Sequence, residues 1–147
     1  MFRTIVVGTD GSETASKAVG QAAELASSVG STLLIVSAFE PVSGSRLREE
    51  AAQVPDDVRW MVNPREDVDA TLSRAAELAA EKGADSKTFA RQGDPADAIL
   101  DVAEERDADL IIVGNKGMTG ARRFLLGLVP NKVSHHAPCS VLIIRTT

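Results

Sequence analysis

The residues best suited to chemistry lie in one segment, Gly114-Asn115-Lys116-Gly117-Met118-Thr119-Gly120-Ala121-Arg122-Arg123-Phe124-Leu125-Leu126-Gly127-Leu128-Val129. Gly114 and Gly117 form a Gly-x-x-Gly pair, and nine residues later comes Gly127, just before a helix start. Glycines let a backbone turn sharply and approach a ligand without interference from a Cβ. Free amides ending at a helix N-terminus attract phosphate. Lys116, Arg122 and Arg123 favour the same anion, and the segment holds no acid. Strand-to-helix connections also use glycine simply to turn, so the pattern alone leaves both readings open. On the ligand reading, a Cβ at Gly114 would press on the ligand or on a backbone angle that only glycine tolerates.

A second candidate is Asp10, in Gly8-Thr9-Asp10-Gly11-Ser12. Its carboxylate either faces a ligand or forms an Asx-turn with the backbone of Ser12. Weaker candidates were weighed the same way. His135 and His136 are adjacent, so on a helix they point in different directions, and no third ligand is in evidence. The single cysteine, Cys139, precedes an apolar run and reads as core. A receiver-type phosphorylation site needs an acidic cluster at strand ends, whereas the third strand ends in Ala90-Arg91-Gln92. No convincing catalytic base or nucleophile emerges, so efficient turnover is not expected.

The elements that position these residues alternate along the chain. Thr4–Gly8 is a continuous apolar strand, followed by a turn in which Ser12 caps a helix that Gly30 stops. Leu33–Val36 is the second strand. Residues 39–63 are irregular and read as a lid or a partly disordered loop, with a short helix expected within 47–54 and Trp60-Met61 packing as a satellite cluster or a lid. A helix runs from Pro64 to about Lys82, ended by Gly83. Ser86–Arg91 reads as a shorter, more polar strand near a sheet edge. Asp94-Pro95 opens a helix, Leu110–Val113 is the fourth strand, a helix lies near 129–136, and Ser140–Ile144 is the fifth strand. This β-α-β-α-β-α-β-α-β pattern predicts one α/β domain over residues 1–147. It is a five-stranded parallel sheet of order 3-2-1-4-5 with helices on both faces. The first, fourth and fifth strands are the most apolar and are expected to be the best covered. In such sheets ligands bind at the carboxyl ends of the strands beside the topological switch, here Gly8-Thr9-Asp10 and Val113-Gly114.

Composition narrows the function classes. Hydrophobic residues are 44% and aromatics 3%, with no tyrosine, so a stacking platform for single-stranded nucleic acid is not expected. The net charge of −5 is split: residues 110–147 carry five basic side chains and no acid, leaving −10 on the first 109. An acidic body disfavours nucleic acid, while the basic segment serves a small anion locally. No apolar run approaches a membrane span, and the opening reads as a strand rather than a signal peptide, so cytoplasm is the expected compartment.

At this point the chain resembles the universal stress protein family. Gly114-x-x-Gly117, nine residues, then Gly127 is similar to the motif of its ATP-binding members. Ile5-Val6-Val7-Gly8-Thr9-Asp10-Gly11-Ser12 looks like the family's first strand and turn, and His136-Ala137-Pro138-Cys139-Ser140-Val141-Leu142-Ile143-Ile144-Arg145 like its last. The resemblance implies an adenine nucleotide bound beside Thr9 and Asp10. Ser37 and Ala38 would line the adenine pocket, Val113 would pack on the base, and Gly114, Asn115, Lys116, Gly117, Gly127, Leu128 and Val129 would form the ribose–phosphate loop. ATP would bring Mg2+; AMP and cyclic AMP are the other ligands considered. The chain departs from the motif at Leu128, where ATP binders carry Ser or Thr. The implied function is a nucleotide-binding stress or signalling regulator. The alternatives are a weak metal-dependent ATPase using Asp10, and an interaction module with a vestigial site. A homodimer through the last strand, Val141, Leu142, Ile143 and Ile144, is expected from its apolar edge and from the resemblance.

Overall fold

Ile5, Val6 and Val7 have no solvent exposure, the condition of a strand covered on both faces. They form the middle of β1 (Thr4–Gly8) in a computed structural model that describes residues 1–39, 64–115 and 128–146, without the side chains of 64–66. The expected helix within 47–54, the Trp60-Met61 lid, and Lys116, Gly117 and Gly127 lie outside the described residues. The remaining strands are β2 (Thr32–Phe39), β3 (Asp85–Gln92), β4 (Leu110–Gly114) and β5 (Ser140–Ile144). All pair in parallel, in the order β3-β2-β1-β4-β5.

Right-handed crossovers dictate where the helices go. The chain moves from β1 to β2 to β3 in one direction, which puts α1 (Glu13–Val29) and α2 (Pro64–Glu81) on one face. It then returns across the sheet to β4 and β5, which puts α3 (Pro95–Glu105) and α4 (Leu128–His136) on the other. The two cores follow strand alternation. Ile5, Val7, Leu33, Ile35, Leu110 and Ile112 pack under α1 and α2, whereas Val6, Leu34, Val36, Ile111 and Val113 pack under α3 and α4. The helix faces laid on the first core are built mainly of alanine: Ala18, Ala22, Ala23 and Ala26 from α1, Ala75 and Ala79 from α2. Small side chains let helix and sheet approach closely, which is how a core with few aromatics reaches native density.

The helix starts are as the sequence dictates. Ser12 is extended and its Oγ accepts the Ala15 amide at 3.2 Å, while Gly30 closes α1 in the left-handed region at φ 72°. Asp94 caps α3 by accepting the Asp97 amide at 3.0 Å, with Pro95 in the first turn. Lys132 of α4 then reaches Asp97 at 2.8 Å and Asp94 at 3.4 Å, tying the two helices of that face together. At the opposite end of β4, Asp109 accepts the amides of Arg3 at 2.7 Å and Thr4 at 3.0 Å, which fixes the entry of β1.

Two expectations are corrected. β3 is not a shorter strand: it pairs with β2 over eight residues, Thr32↔Asp85 through Phe39↔Gln92. β5 is not among the best-covered strands. It is a sheet edge, and Leu142 and Ile143 are 41% and 39% exposed, while β2 is buried along most of its length. An interior strand has two neighbours and two helix layers; among the described residues β5 pairs with β4 alone, and α4 is the helix it touches most.

Gly8 is a point of close approach. A Cβ there would lie 2.4 Å from Cδ1 and 3.0 Å from Cγ1 of the buried Ile99. Gly8→Ala is expected to destabilise the fold by about 1–3 kcal/mol through overpacking. Gly114→Ala, whose Cβ would meet Thr146 at ordinary contact distances of 3.4 and 3.5 Å, is expected to stay within about 1 kcal/mol of the parent. Urea unfolding of both variants checks the contrast.

The Asp97 amide, and after it Lys132, hold the Asp94 carboxyl below the usual carboxylate range; the Arg3 and Thr4 amides do the same for Asp109. Both folded-state values are depressed. Their stabilisation is therefore complete above the unfolded-state value and is lost as pH falls through the lower folded-state value. Thermal unfolding followed from neutral to strongly acid pH is expected to show that loss, and Asp94→Asn to flatten part of it. A variant with an unchanged acid limb would contradict the assignment.

Candidate functional site

The crossover from β1 leaves toward one face and the crossover from β4 toward the other, so the carboxyl ends of these adjacent strands part and leave a cleft. Gly8 and Asp10 enter it from β1, Val113 and Gly114 from β4, and Val129 and Pro130 from the first turn of α4. Thr14, Ala15 and Ala18 of α1, Ile99 of α3 and Thr146 complete the wall. The cleft has about 390 Å3 of empty space, counting its open mouth.

Asp10 is exposed, and one of its carboxylate oxygens, Oδ1, accepts the Ser12 amide at 2.9 Å. The Asx-turn is therefore formed. It leaves the other oxygen with its lone pairs, so the turn and a ligand role are compatible. Asp10 is the charged side chain among the described residues of the cleft wall. Lys132 lies on α4 but is engaged by Asp94 and Asp97.

The sequence candidates divide by strand alternation. Thr9, one residue before Asp10, faces the opposite way: it is 2% exposed and lines a separate cleft between α1 and α2. Its Oγ1 accepts the Gly11 amide at 3.1 Å, and its own amide donates to the Val36 carbonyl at 2.9 Å, which ties the end of β1 to β2. Ser37 is buried and by alternation shares the face of Leu33 and Ile35. Ala38 packs on the core under α3 and α4, the face that also holds Val113.

Asn115 holds the end of the chain. Its Oδ1 accepts the Thr146 amide at 2.9 Å and the Thr146 hydroxyl at 3.2 Å, and its own amide donates to the Ile144 carbonyl at 2.9 Å. Thr146 is thereby buried against Gly114 and becomes part of the wall. Gly114 is not in the left-handed region, so the expectation of a backbone angle reserved for glycine is corrected; what glycine allows there is contact with Thr146.

Leu128 begins α4 and is 75% exposed, with Val129 half-buried beside the cleft. The amides of Leu128 and Val129 belong to the first turn, where a helix has no internal acceptors for them; Pro130 has no amide to offer. The cleft therefore combines an apolar floor, one carboxylate, and a helix N-terminus.

Gly8 was named only as part of a strand end, and sequence reasoning did not place Thr14, Ala15, Ala18, Ile99, Pro130 or Thr146 at the cleft. Gly8 carried a signal, a glycine ending a buried strand at the switch. The others arrive through packing of α1, α3, α4 and the segment after β5, which no local pattern marks. Among the described residues no group of three or more His, Cys, Asp or Glu side chains is placed to hold a metal ion. His135 and His136 are both exposed in the last turn of α4, and Cys139 packs half-buried on the α3–α4 core, where desolvation raises its thiol pKa.

A universal stress protein of Mycobacterium tuberculosis, Rv1636, is 37% identical over 147 residues, covering 99% of this chain and 98% of the relative. The fold superposes on a universal stress protein in complex with cAMP (31% identity, TM-score 0.75, 99% and 98% of the two chains covered). It also superposes on the universal stress protein from Archaeoglobus fulgidus in complex with dAMP (26% identity, TM-score 0.69, 98% of each chain). The family model described as the universal stress protein family matches residues 1–145. With that match spanning the sheet and both walls of the cleft, the chain belongs to the universal stress protein family.

Proposed function

We propose that this protein binds an adenine nucleotide in the cleft between β1 and β4 and acts as a regulator whose signal is its ligand state. The observation that supports this most directly is the convergence, at the switch point, of Asp10, Val113, Gly114 and Val129 on one cleft with a helix N-terminus at its rim. The cAMP and dAMP complexes of family members support the choice of an adenine nucleotide. In this reading the base packs near Val113 and Ala38, Asp10 accepts from the base or ribose, and the phosphate meets the α4 amides and the 116–127 segment. Thr9 and Ser37 support the strand ends from behind. A metal would come with ATP. Asp10 offers it one free oxygen, which suits a cation held chiefly by phosphates.

Leu128 is proposed to set selectivity. A hydroxyl bonded to a charged phosphate is worth roughly 1.5–3 kcal/mol, about one to two decades in affinity. Its absence weighs most on ligands whose terminal phosphates reach the end of the loop. Calorimetric titration with ATP, AMP and cyclic AMP is expected to give no strong preference for ATP, and Leu128→Ser to raise the ATP/AMP affinity ratio by about tenfold or more. Strong ATP preference in the parent, or unchanged ratios in the variant, would show that backbone amides alone read the phosphates. No binding of any of the three would remove the nucleotide reading.

We also propose a homodimer through the free edge of β5. The exposed Leu142 and Ile143 support it, since an apolar edge strand invites pairing. Ile144, though in the same run, is buried and belongs to the monomer core. Sedimentation is expected to find a dimer at micromolar concentration for the parent and a folded monomer for Leu142→Asp; a monomeric parent would refute it.

A further inference from the structure

Behind the turn that carries Asp10, on the other face of the sheet, a second cleft opens between α1 and α2. It has about 330 Å3 of empty space, counting its mouth. Its polar lining is Thr9, Ser16, Thr71 and Arg74, with Gly11 at the floor and Val19, Ala75 and Leu78 as its apolar side. Among the described residues no carboxylate lines it.

Two of its hydroxyls are deeply buried, Thr9 at 2% and Thr71 at 9% exposure. Each already serves as an acceptor: Thr9 Oγ1 takes the Gly11 amide at 3.1 Å, and Thr71 Oγ1 takes Arg74 Nη2 at 3.5 Å. A threonine hydroxyl has one proton to donate as well, and among the described residues neither proton has an acceptor. Arg74 makes that one long contact and no ion pair among the described residues, so the rest of its guanidinium fork is free. Gly11, at φ 83°, brings the backbone so close to Thr71 that a Cβ would lie 2.8 Å from its Oγ1. The floor is thus closed by backbone, and each of the two hydroxyls beside it keeps one proton to donate.

We propose that the α1–α2 cleft is a second ligand site, for a small tetrahedral oxyanion such as inorganic phosphate. The Arg74 guanidinium would supply the charge and a planar pair of N–H donors, and the Thr9 and Thr71 hydroxyls would donate from below. Val19, Ala75 and Leu78 keep the cleft narrow and exclude a larger ligand. The site shares the Thr9–Ser12 turn with the nucleotide cleft but none of its lining residues, and it does not depend on that cleft being occupied.

The test is a titration of the 15N-labelled protein with inorganic phosphate, chloride replaced to hold ionic strength constant, with amide shifts as the readout. Saturable shifts are expected at Gly11, Thr71, Arg74 and Ala75. Arg74→Gln, at an exposed position, is expected to weaken binding about tenfold or more. Thr71→Val, which keeps the side-chain shape, is expected to weaken it less while the spectrum stays dispersed. Linear, unsaturable shifts would overturn the proposal. So would shifts confined to Val113 and Val129, which would place the anion in the nucleotide cleft, or an affinity unchanged in Arg74→Gln. Failure here leaves the nucleotide titrations untouched, and their failure leaves this one interpretable.

Discussion

The structure depends on one strand having two neighbours whose crossovers diverge. β1 pairs with β2 from Thr4↔Thr32 to Gly8↔Val36 and with β4 from Ile5↔Leu110 to Val7↔Ile112. Because both of its edges are used, its backbone groups are satisfied within the sheet, and its side chains are committed to one core or the other. Past Gly8 that commitment ends. The chain turns away into α1 while β4 sends its own connection to the opposite face. The cleft is what remains between two connections that cannot both cover the same strand ends. Its existence is a property of topology; its chemistry is then set by the residues at the strand ends and by those that α1, α3, α4 and Thr146 bring beside them.

That division explains what was legible in the sequence. Ile5-Val6-Val7 and Leu110-Ile111-Ile112-Val113 announce strands buried on both faces, because only such strands tolerate unbroken apolar runs. Ser12, Gly30, Gly83 and Asp94-Pro95 mark helix ends by local chemistry, and each stands where its preference predicts. β3 was read short because Lys87 and Thr88 break any apolar pattern; its length is imposed by pairing with β2, a partner far away in sequence. β5 misled in the other direction. Its residues are as apolar as those of β4, yet composition does not distinguish a strand with two sheet neighbours from one at an edge.

The same limit governs the site. Asp10, Val113, Gly114 and Val129 were identifiable because they sit at strand or helix ends beside the switch. Thr9 and Ser37 sit there too, but a shift of one residue along a strand exchanges faces, and both side chains belong to the α1–α2 side. Thr14, Ile99 and Thr146 carried no local sign, since they reach the cleft through the packing of separate elements. The turn from Thr9 to Ser12 is accordingly a partition rather than a single wall, with a carboxylate on one side and buried hydroxyls on the other.

β4 also anchors both extremities of the described chain, at its two opposite ends. Asp109 at its start holds Arg3 and Thr4, and Asn115 just past its finish holds Thr146. In a parallel sheet these two anchorages lie at opposite poles. Polypeptide attached before Met1 leaves from the pole remote from the cleft. Thr146 itself stands in the wall of the cleft. An affinity handle or reporter fused at the carboxyl side would therefore start beside the mouth of the cleft, while the same fusion at the amino side would leave that mouth clear.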